Sequence, residues 1–432
     1  MNLDPQLLPA TCDVLVVGAG PAGSAAALTL ARAGLDVVLV DQHAFPRDKV
    51  CGDALIPDAQ QALRRLGVFD EVLAQAQPSQ FIGCVGPRGG RVNVPGVLAV
   101  LPRRELDLIL CRAAVAAGAR MFAPLRFSAP IEVNDRVVGA RLQPGADKLK
   151  SHELRARWVV LASGAVPQAL LATGMATRQT PSGVALRGYV RNDAMVGRID
   201  TLEIVWHRAL RPGYGWIFPC RDGVFNIGVG YADSHTERGH ANGQANGAAP
   251  KPEQNLRQLM DAFQRVHAPA RELLAGGTLL GPMKGAPLRC SLDGARWSRP
   301  GLLVTGEAAG STYSFTGEGI GKALETGIHA GEVLLAAGLL AQRVSHPTDD
   351  NATAADAAIE ADYAARLNAL KPRFELYRRA NAVNRHPWLA DLVIWRARKS
   401  AGLRRRMTGV LNETSNPGKL LSLEGMLKLF TV

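Results

Sequence analysis

Residues 12–41 read CDVLVVGAGPAGSAAALTLARAGLDVVLVD, and the fold turns on them. An apolar run, Val14 to Val17, enters the glycine-rich turn Gly18-Ala19-Gly20-Pro21-Ala22-Gly23, which opens into an alanine-rich helix ending near Gly34. A second apolar run, Val37 to Val40, stops at an acid, Asp41. The order is strand, turn, helix, strand, and each glycine has a mechanical task. Gly18 permits the tight turn, Gly20 lets a pyrophosphate approach the backbone, and Gly23 lets helix and strand pack closely. The helix start presents unpaired N–H groups and a partial positive charge of about half an electron to those phosphates. Asp41, with Gln42 beside it, is placed at the strand tip to accept hydrogen bonds from ribose hydroxyls. The pattern predicts a dinucleotide site, and alone it does not separate FAD from NAD.

Composition sets the bounds. The 432 residues suffice for two or three domains and a large core. Lys plus Arg number 50 against 38 Asp plus Glu, a net charge of +12 that favours anionic partners. No nucleic-acid motif or aromatic-basic ladder accompanies the charge, so a nucleic-acid partner is not expected. The cysteines, at 12, 51, 84, 111, 220 and 290, lie far apart without metal-ligand spacing, which suits reduced thiols in a cytoplasmic protein and no metal site. Val14 to Ala31 is uncharged, but the glycine turn interrupts it, and Val333 to Leu340 is too short to span a membrane.

Four further segments carry chemistry. Pro46-Arg47-Asp48-Lys49-Val50-Cys51-Gly52 follows the second strand directly and so lies along the dinucleotide. Tyr214-Gly215-Trp216-Ile217-Phe218-Pro219 sits in a β-like region, where alternation puts Tyr214, Trp216 and Phe218 on one face. Gly301 to Gly310 is an apolar strand ending at Gly306-Glu307. Thr316-Gly317-Glu318-Gly319-Ile320 opens a helix that should run to Leu340. With the Gly18 to Gly23 turn, these segments resemble the geranylgeranyl reductase family, a branch of FAD-dependent oxidoreductases that shares a fold with p-hydroxybenzoate hydroxylase. The resemblance covers Cys12 to Leu340.

The resemblance implies a discontinuous α/β, Rossmann-type FAD-binding domain with an inserted antiparallel β-sheet substrate domain and a helical C-terminal segment. The expected divisions are 1–75, 101–166 and 281–344 for the FAD domain, 76–100 and 167–280 for the substrate domain, and 345–432 for the tail. It also implies that Cys51-Gly52 lies beside the flavin ring, that Arg103, at a helix start, contacts the cofactor, and that Lys49 lies along it. Glu307 stands where the class usually carries the aspartate that binds the ribityl hydroxyls. Two such acids with one glycine fingerprint favour FAD over NAD. Ala162-Ser163-Gly164 replaces the Asp-Gly of related hydroxylases, which leaves flavin packing by Ala162 and Gly164 intact and direct use of NADPH in question. Gly317, Gly319 and Ile320 would set a helix start against the flavin, stabilising negative charge on the reduced ring.

The implied reaction saturates C=C bonds of a long isoprenoid chain, with hydride from the reduced flavin and a proton from an acid, for which Cys51 is the candidate. Its alternative reading is a small buried thiol. Tyr214, Trp216, Phe218 and Pro219 would bind the apolar substrate, and an external donor, NAD(P)H or ferredoxin, would reduce the flavin. The competing reading is a flavin monooxygenase or halogenase, since the Trp216 segment partly echoes the halogenase Trp-x-Trp-x-Ile-Pro pattern. Ala232 to Asn255, small and polar with His235 and His240, reads as a mobile surface loop, and Leu256 to Leu274 as one amphipathic helix. Between Arg366 and Arg406 the tail is strongly basic with Leu389, Leu392, Val393, Ile394 and Trp395 interleaved, which suits either a solvated helix face or peripheral contact with an anionic membrane.

Overall fold

The computed structural model describes residues 2–144, 151–232, 255–339 and 349–412. Thr11–Val17 is the centre of an eight-stranded sheet, between Val37–Val40 and His152–Leu161, and parallel to both. Leu302–Val304 extends it beyond His152–Leu161, and Arg120–Phe122 beyond Val37–Val40. Val14 to Val16 and Val37 to Val40 are fully buried, as strands of a parallel sheet covered on both faces must be. A hairpin, Leu125–Val133 and Arg136–Pro144, joins the His152 strand. Its turn residues Asn134 and Asp135 have φ of 49° and 60°, the geometry a two-residue hairpin loop requires.

Pro21–Arg32 packs between Arg103–Ala116 and Ile320–Ala336. Backbones meet at the second of these crossings: a Cβ on Gly327 would lie 2.1 Å from the Ala22 carbonyl oxygen. The last of these helices stops at Ala336, short of Leu340, because Gly338 turns the chain at φ 73°.

The second sheet has nine strands and contains Gly183–Arg191, Val224–Ala232, Gly213–Pro219, Leu202–Val205, Gln77–Val85 and Arg91–Val100, in that order. It also takes in Ala54–Leu55 and Lys284–Leu288. Its pairing is antiparallel except where Leu202–Val205 meets Gln77–Val85, so the sheet is mixed at the seam between two distant stretches of chain. The expected single helix over Leu256 to Leu274 is two, Leu256–Val266 and Ala268–Gly276. Pro269 cannot donate to the Arg265 carbonyl, so the chain breaks at His267, which is extended at φ −129°. The freed His267 ring stacks on Phe263 and its Nε2 meets Glu203 at 2.9 Å.

The tail is helical: Asp349–Ala380, Ala382–Arg385, Trp388–Lys399 and Ala401–Leu411. Leu389, Ile394, Leu403 and Leu411 are buried on the second sheet with Ile82, Val92 and Trp216, so this apolar stripe roofs a sheet face and is not free for lipid. No helix among the described residues is long and apolar enough to cross a membrane. The loop expected at Ala232 to Asn255 falls almost wholly outside the described residues.

The crossing at Gly327 can be tested. Gly327→Val forces a side chain onto a backbone carbonyl and is expected to cost about 3 kcal/mol. Gly331→Ala places its Cβ 3.0 Å from Thr29 Cβ and Cγ2, a milder approach than that on the carbonyl, and should cost about 1 kcal/mol. Urea denaturation reads both, and equal midpoints for the two variants would contradict the crossing.

Candidate active site

Gly18 has φ of 101°, and a Cβ there would sit 2.3 Å from the Ala162 carbonyl oxygen. On Gly23 it would sit 1.8 Å from the Gly18 carbonyl oxygen. Only glycine fits either position. Gly20 is different: a Cβ would meet nothing nearer than the guanidinium nitrogens of Arg103 at 3.6 Å and Arg47 at 3.8 Å. Its face is open and flanked by two cations, and no side chain caps the helix that starts there. That geometry suits a phosphate.

Asp41 Oδ2 accepts from the Ala19 N–H at 3.0 Å and Oδ1 from the His43 N–H at 2.9 Å, which ties the second strand tip to the glycine turn. Arg47, read in the sequence only as part of the segment along the dinucleotide, donates to Asp41 at 3.2 Å and to Asp107 at 2.9 Å. Arg103 is buried and meets Asp107 through two nitrogens at 2.7 and 2.9 Å. Burial works against its charge, but Asp107 and then the Cys51 thiol more than offset this and hold its pKa above the ordinary arginine value. Its neighbour Arg104 is exposed.

The far end is closed by the second segment. Lys49 Nζ meets Glu307 Oε2 at 3.1 Å, and Thr312 donates to Glu307 Oε1 at 3.3 Å. The Thr316–Ile320 turn is held from two sides: the Tyr214 hydroxyl donates to the Thr316 carbonyl, and Asn384 of the tail donates to the Phe315 carbonyl at 2.9 Å. Asn384 Oδ1 also accepts from Trp206 at 2.7 Å. Tyr214, Trp216 and Phe218 form a continuous wall, with ring centroids 6.2 and 6.4 Å apart. Gly52 presses on Phe218, where a Cβ would stand 3.1 Å from the ring.

These parts enclose one cavity of about 760 Å³. Of the residues expected on the cofactor, Gly18, Gly20, Pro21, Ala22, Asp41, Gln42, Lys49, Cys51, Gly52, Arg103, Ala162, Gly164, Glu307, Gly317, Gly319 and Ile320 line it. Tyr214, Trp216 and Phe218 line it too. Gly23, Gly306 and Pro219 do not: Gly23 packs on the Gly18 carbonyl, Gly306 on the Ala22 methyl, and Pro219 ends its strand in the core. Leu125 to Ser128 line the end near Asp41 and went unread, because nothing in a hairpin strand announces a ligand. The buried hydroxyls of Ser163 and Ser314 face this cavity without a hydrogen-bond partner among the described residues. An open glycine, flanking arginines and orphaned hydroxyls together fit a dinucleotide carrying further polar groups, as FAD does.

A two-crossover cradle joined to an aromatic chamber defines an FAD-dependent oxidoreductase. Comparison with known proteins agrees. Residues 11–200 match the FAD binding domain family model. The chain is 33% identical to the menaquinone reductase of Mycolicibacterium smegmatis over 78% of this chain and 79% of that protein. It is 30% identical to digeranylgeranylglycerophospholipid reductase 1 of Methanopyrus kandleri over 75% of this chain and 80% of that one. A geranylgeranyl bacteriochlorophyll reductase-like structure from Thermoplasma acidophilum superposes with a TM-score of 0.67 at 22% identity, over 97% of this chain and 96% of that one. The chain belongs to the geranylgeranyl reductase family of FAD-dependent oxidoreductases.

Asn384→Ala should leave the Trp206 indole N–H and the Phe315 carbonyl unpaired, at a cost of about 1–3 kcal/mol. Because Phe315 precedes the Thr316 turn, bound FAD should also change its absorption spectrum. Thermal melting and a visible spectrum check both, and an unchanged spectrum would show that the tail does not hold that turn.

Proposed function

We propose that the enzyme reduces C=C bonds in the isoprenoid chain of a lipid. The carrying observation is the chamber itself: Cys51-Gly52 and the Thr316–Ile320 turn face an aromatic wall continued by Ile56, Ile82, Leu202 and Ile204, all on one cavity. Such walls bury a long apolar chain at little entropic cost. A relative named for a geranylgeranyl lipid supports the substrate class.

Asp41, Arg47, Arg103 and the Gly20 backbone would hold the dinucleotide end of FAD, and Lys49, Glu307, Ala162, Gly164, Gly317, Gly319 and Ile320 the flavin end. When bound and reduced, FAD supplies the hydride. An isolated alkene offers no carbonyl to polarise, so the chain's work is alignment and exclusion of water. Trp216 and Phe218 fix the alkene, and Cys51 Sγ gives its proton to the second carbon and regains one from solvent. We propose NAD(P)H or ferredoxin as external donor, and the division of the chain into FAD, substrate and tail segments set out above. The test is anaerobic mixing of the dithionite-reduced holoenzyme with geranylgeranyl diphosphate, followed by mass spectrometry. Each reduced bond should add two hydrogens, and Cys51→Ala should slow flavin reoxidation by roughly a hundredfold. Turnover that requires oxygen, with an oxygenated product, would point to a monooxygenase instead.

We propose also that the tail rests on the anionic cytoplasmic surface of a membrane. Helical spacing puts Trp388, Trp395 and Lys399 on the face of Trp388–Lys399 opposite the buried Leu389 and Ile394. Trp388 is 60% and Trp395 47% exposed. Lys399 lies over the Trp395 ring at 4.9 Å, and Arg398, Arg405 and Arg406 are exposed beside it. Tryptophan flanked by cations suits a headgroup layer. The protein should sediment with phosphatidylglycerol vesicles at low salt and release at high salt, and the Trp388→Ala/Trp395→Ala double variant should stay in the supernatant. No sedimentation of the parent protein would refute this.

A further inference from the structure

Asp53 follows the Cys51-Gly52 turn, is 0% exposed, and has φ of 66°. Both features are costly. A left-handed backbone costs a non-glycine residue roughly 1 kcal/mol, and a buried carboxylate is expensive unless donors surround it. Asp53 is also absent from the ion pairs found among the described residues, where a neutral side chain would make a cheaper core. Its donors are the Tyr189 hydroxyl and the Asn226 amide, at 2.7 Å, on Oδ2, and the Arg103 backbone N–H, at 3.3 Å, on Oδ1.

Asn226, itself fully buried, makes the geometry directional. Its Oδ1 accepts from Trp216 Nε1 at 2.9 Å, and an indole nitrogen can only donate, so the amide cannot flip. Its two Nδ2 hydrogens must then find acceptors. They go to the Cys51 carbonyl at 2.8 Å and to Asp53. The order Asp53, Asn226, Cys51 carbonyl therefore requires an acceptor at 53, and the same amide anchors Trp216 of the aromatic wall.

We propose that Asp53 is a positioning residue: acting through Asn226, it fixes the Cys51-Gly52 turn against Trp216 and so sets where the Cys51 thiol stands in the chamber. The inference rests on the reading of this cavity as the active site, but the geometry it describes exists without substrate. Burial pushes the Asp53 carboxyl up to about 6, against the opposing pull of Arg187, Tyr189, Asn226 and Arg103. The groups facing it are thus Arg187 and Tyr189 from one strand, Asn226 from the next, Arg103 from the helix start and Cys220 from the neighbouring strand end. Below pH 6 the carboxyl takes a proton, ceases to be an acceptor for all its donors, and the turn loosens.

The reactivity of Cys51 reports the turn. It is the half-buried cysteine, and the others are buried. Full-length protein, as purified, is treated from pH 4.5 to 8 with 4,4′-dithiodipyridine, which reacts with thiols in acid, and labelling of the Cys51 peptide is normalised to free cysteine at each pH. In the parent protein normalised labelling should rise as pH falls through about 6. Asp53→Asn should label about fivefold faster at pH 8 and lose the step. Tyr189→Phe removes a donor to the ionised form, so its step should move to higher pH. A step unmoved in Tyr189→Phe, or parent-like labelling in Asp53→Asn, would overturn the proposal, and if Asp53→Asn does not fold, Tyr189→Phe alone decides. Labelling needs neither flavin nor turnover: if the protein failed to reduce any alkene while these profiles held, the proposed reaction would fall and the positioning role would stand.

Discussion

Ala22 is the point on which the two halves of the cofactor site meet. A Cβ on Gly306 would stand 2.5 Å from its methyl, and one on Gly327 closer still to its carbonyl. The second acid-bearing turn therefore rests directly on the Ala22 methyl, and the helix after it on the Ala22 carbonyl, with no room for a side chain at 306 or 327. From that closeness follow the rest: the Glu307 carboxylate comes within reach of Lys49, and the Thr316–Ile320 turn arrives over the chamber that the Gly18 turn opens. Dispersion between close-packed backbones is weak per atom pair and large in sum, which is why small residues at 22, 306 and 327 matter more here than any single ion pair.

Much of this was legible in the sequence because it is local. The Gly18, Gly20 and Gly23 spacing encodes a turn within one stretch, and alternation at Tyr214, Trp216 and Phe218 puts three rings on one face whatever the rest of the chain does. What could not be read depends on distant partners. Arg47 finds Asp107, Asn226 finds Asp53, and Asn384 finds Trp206. Each is one polar residue with no periodicity, and its meaning exists only once strands and helices have been brought together. The helix break at His267 did have a local signal, Pro269, that the amphipathic pattern outweighed. In the tail the apolar stripe was visible, but its destination was not: Leu389 and Ile394 go to the second sheet, and the tryptophans are left outward.

The cavity divides its electrostatics by region. At the glycine end, two arginines share two carboxylates, so the cations are fixed in place by ion pairs within the protein. At the chamber end the polar groups are neutral or internally satisfied, and the walls are aromatic and aliphatic. One cavity thus joins a charged end to a largely apolar one.

That the roof over the aromatic wall is built from Val383, Leu389, Ile394 and Leu403 carries a consequence for biosynthesis. The ribosome makes this roof after the sheet strands that it covers, so the nascent chain holds a sheet face of exposed tryptophan and isoleucine until Val383 to Leu403 have emerged. Chains that stop before Val383 would be left with a sticky, uncovered surface for chaperones to manage.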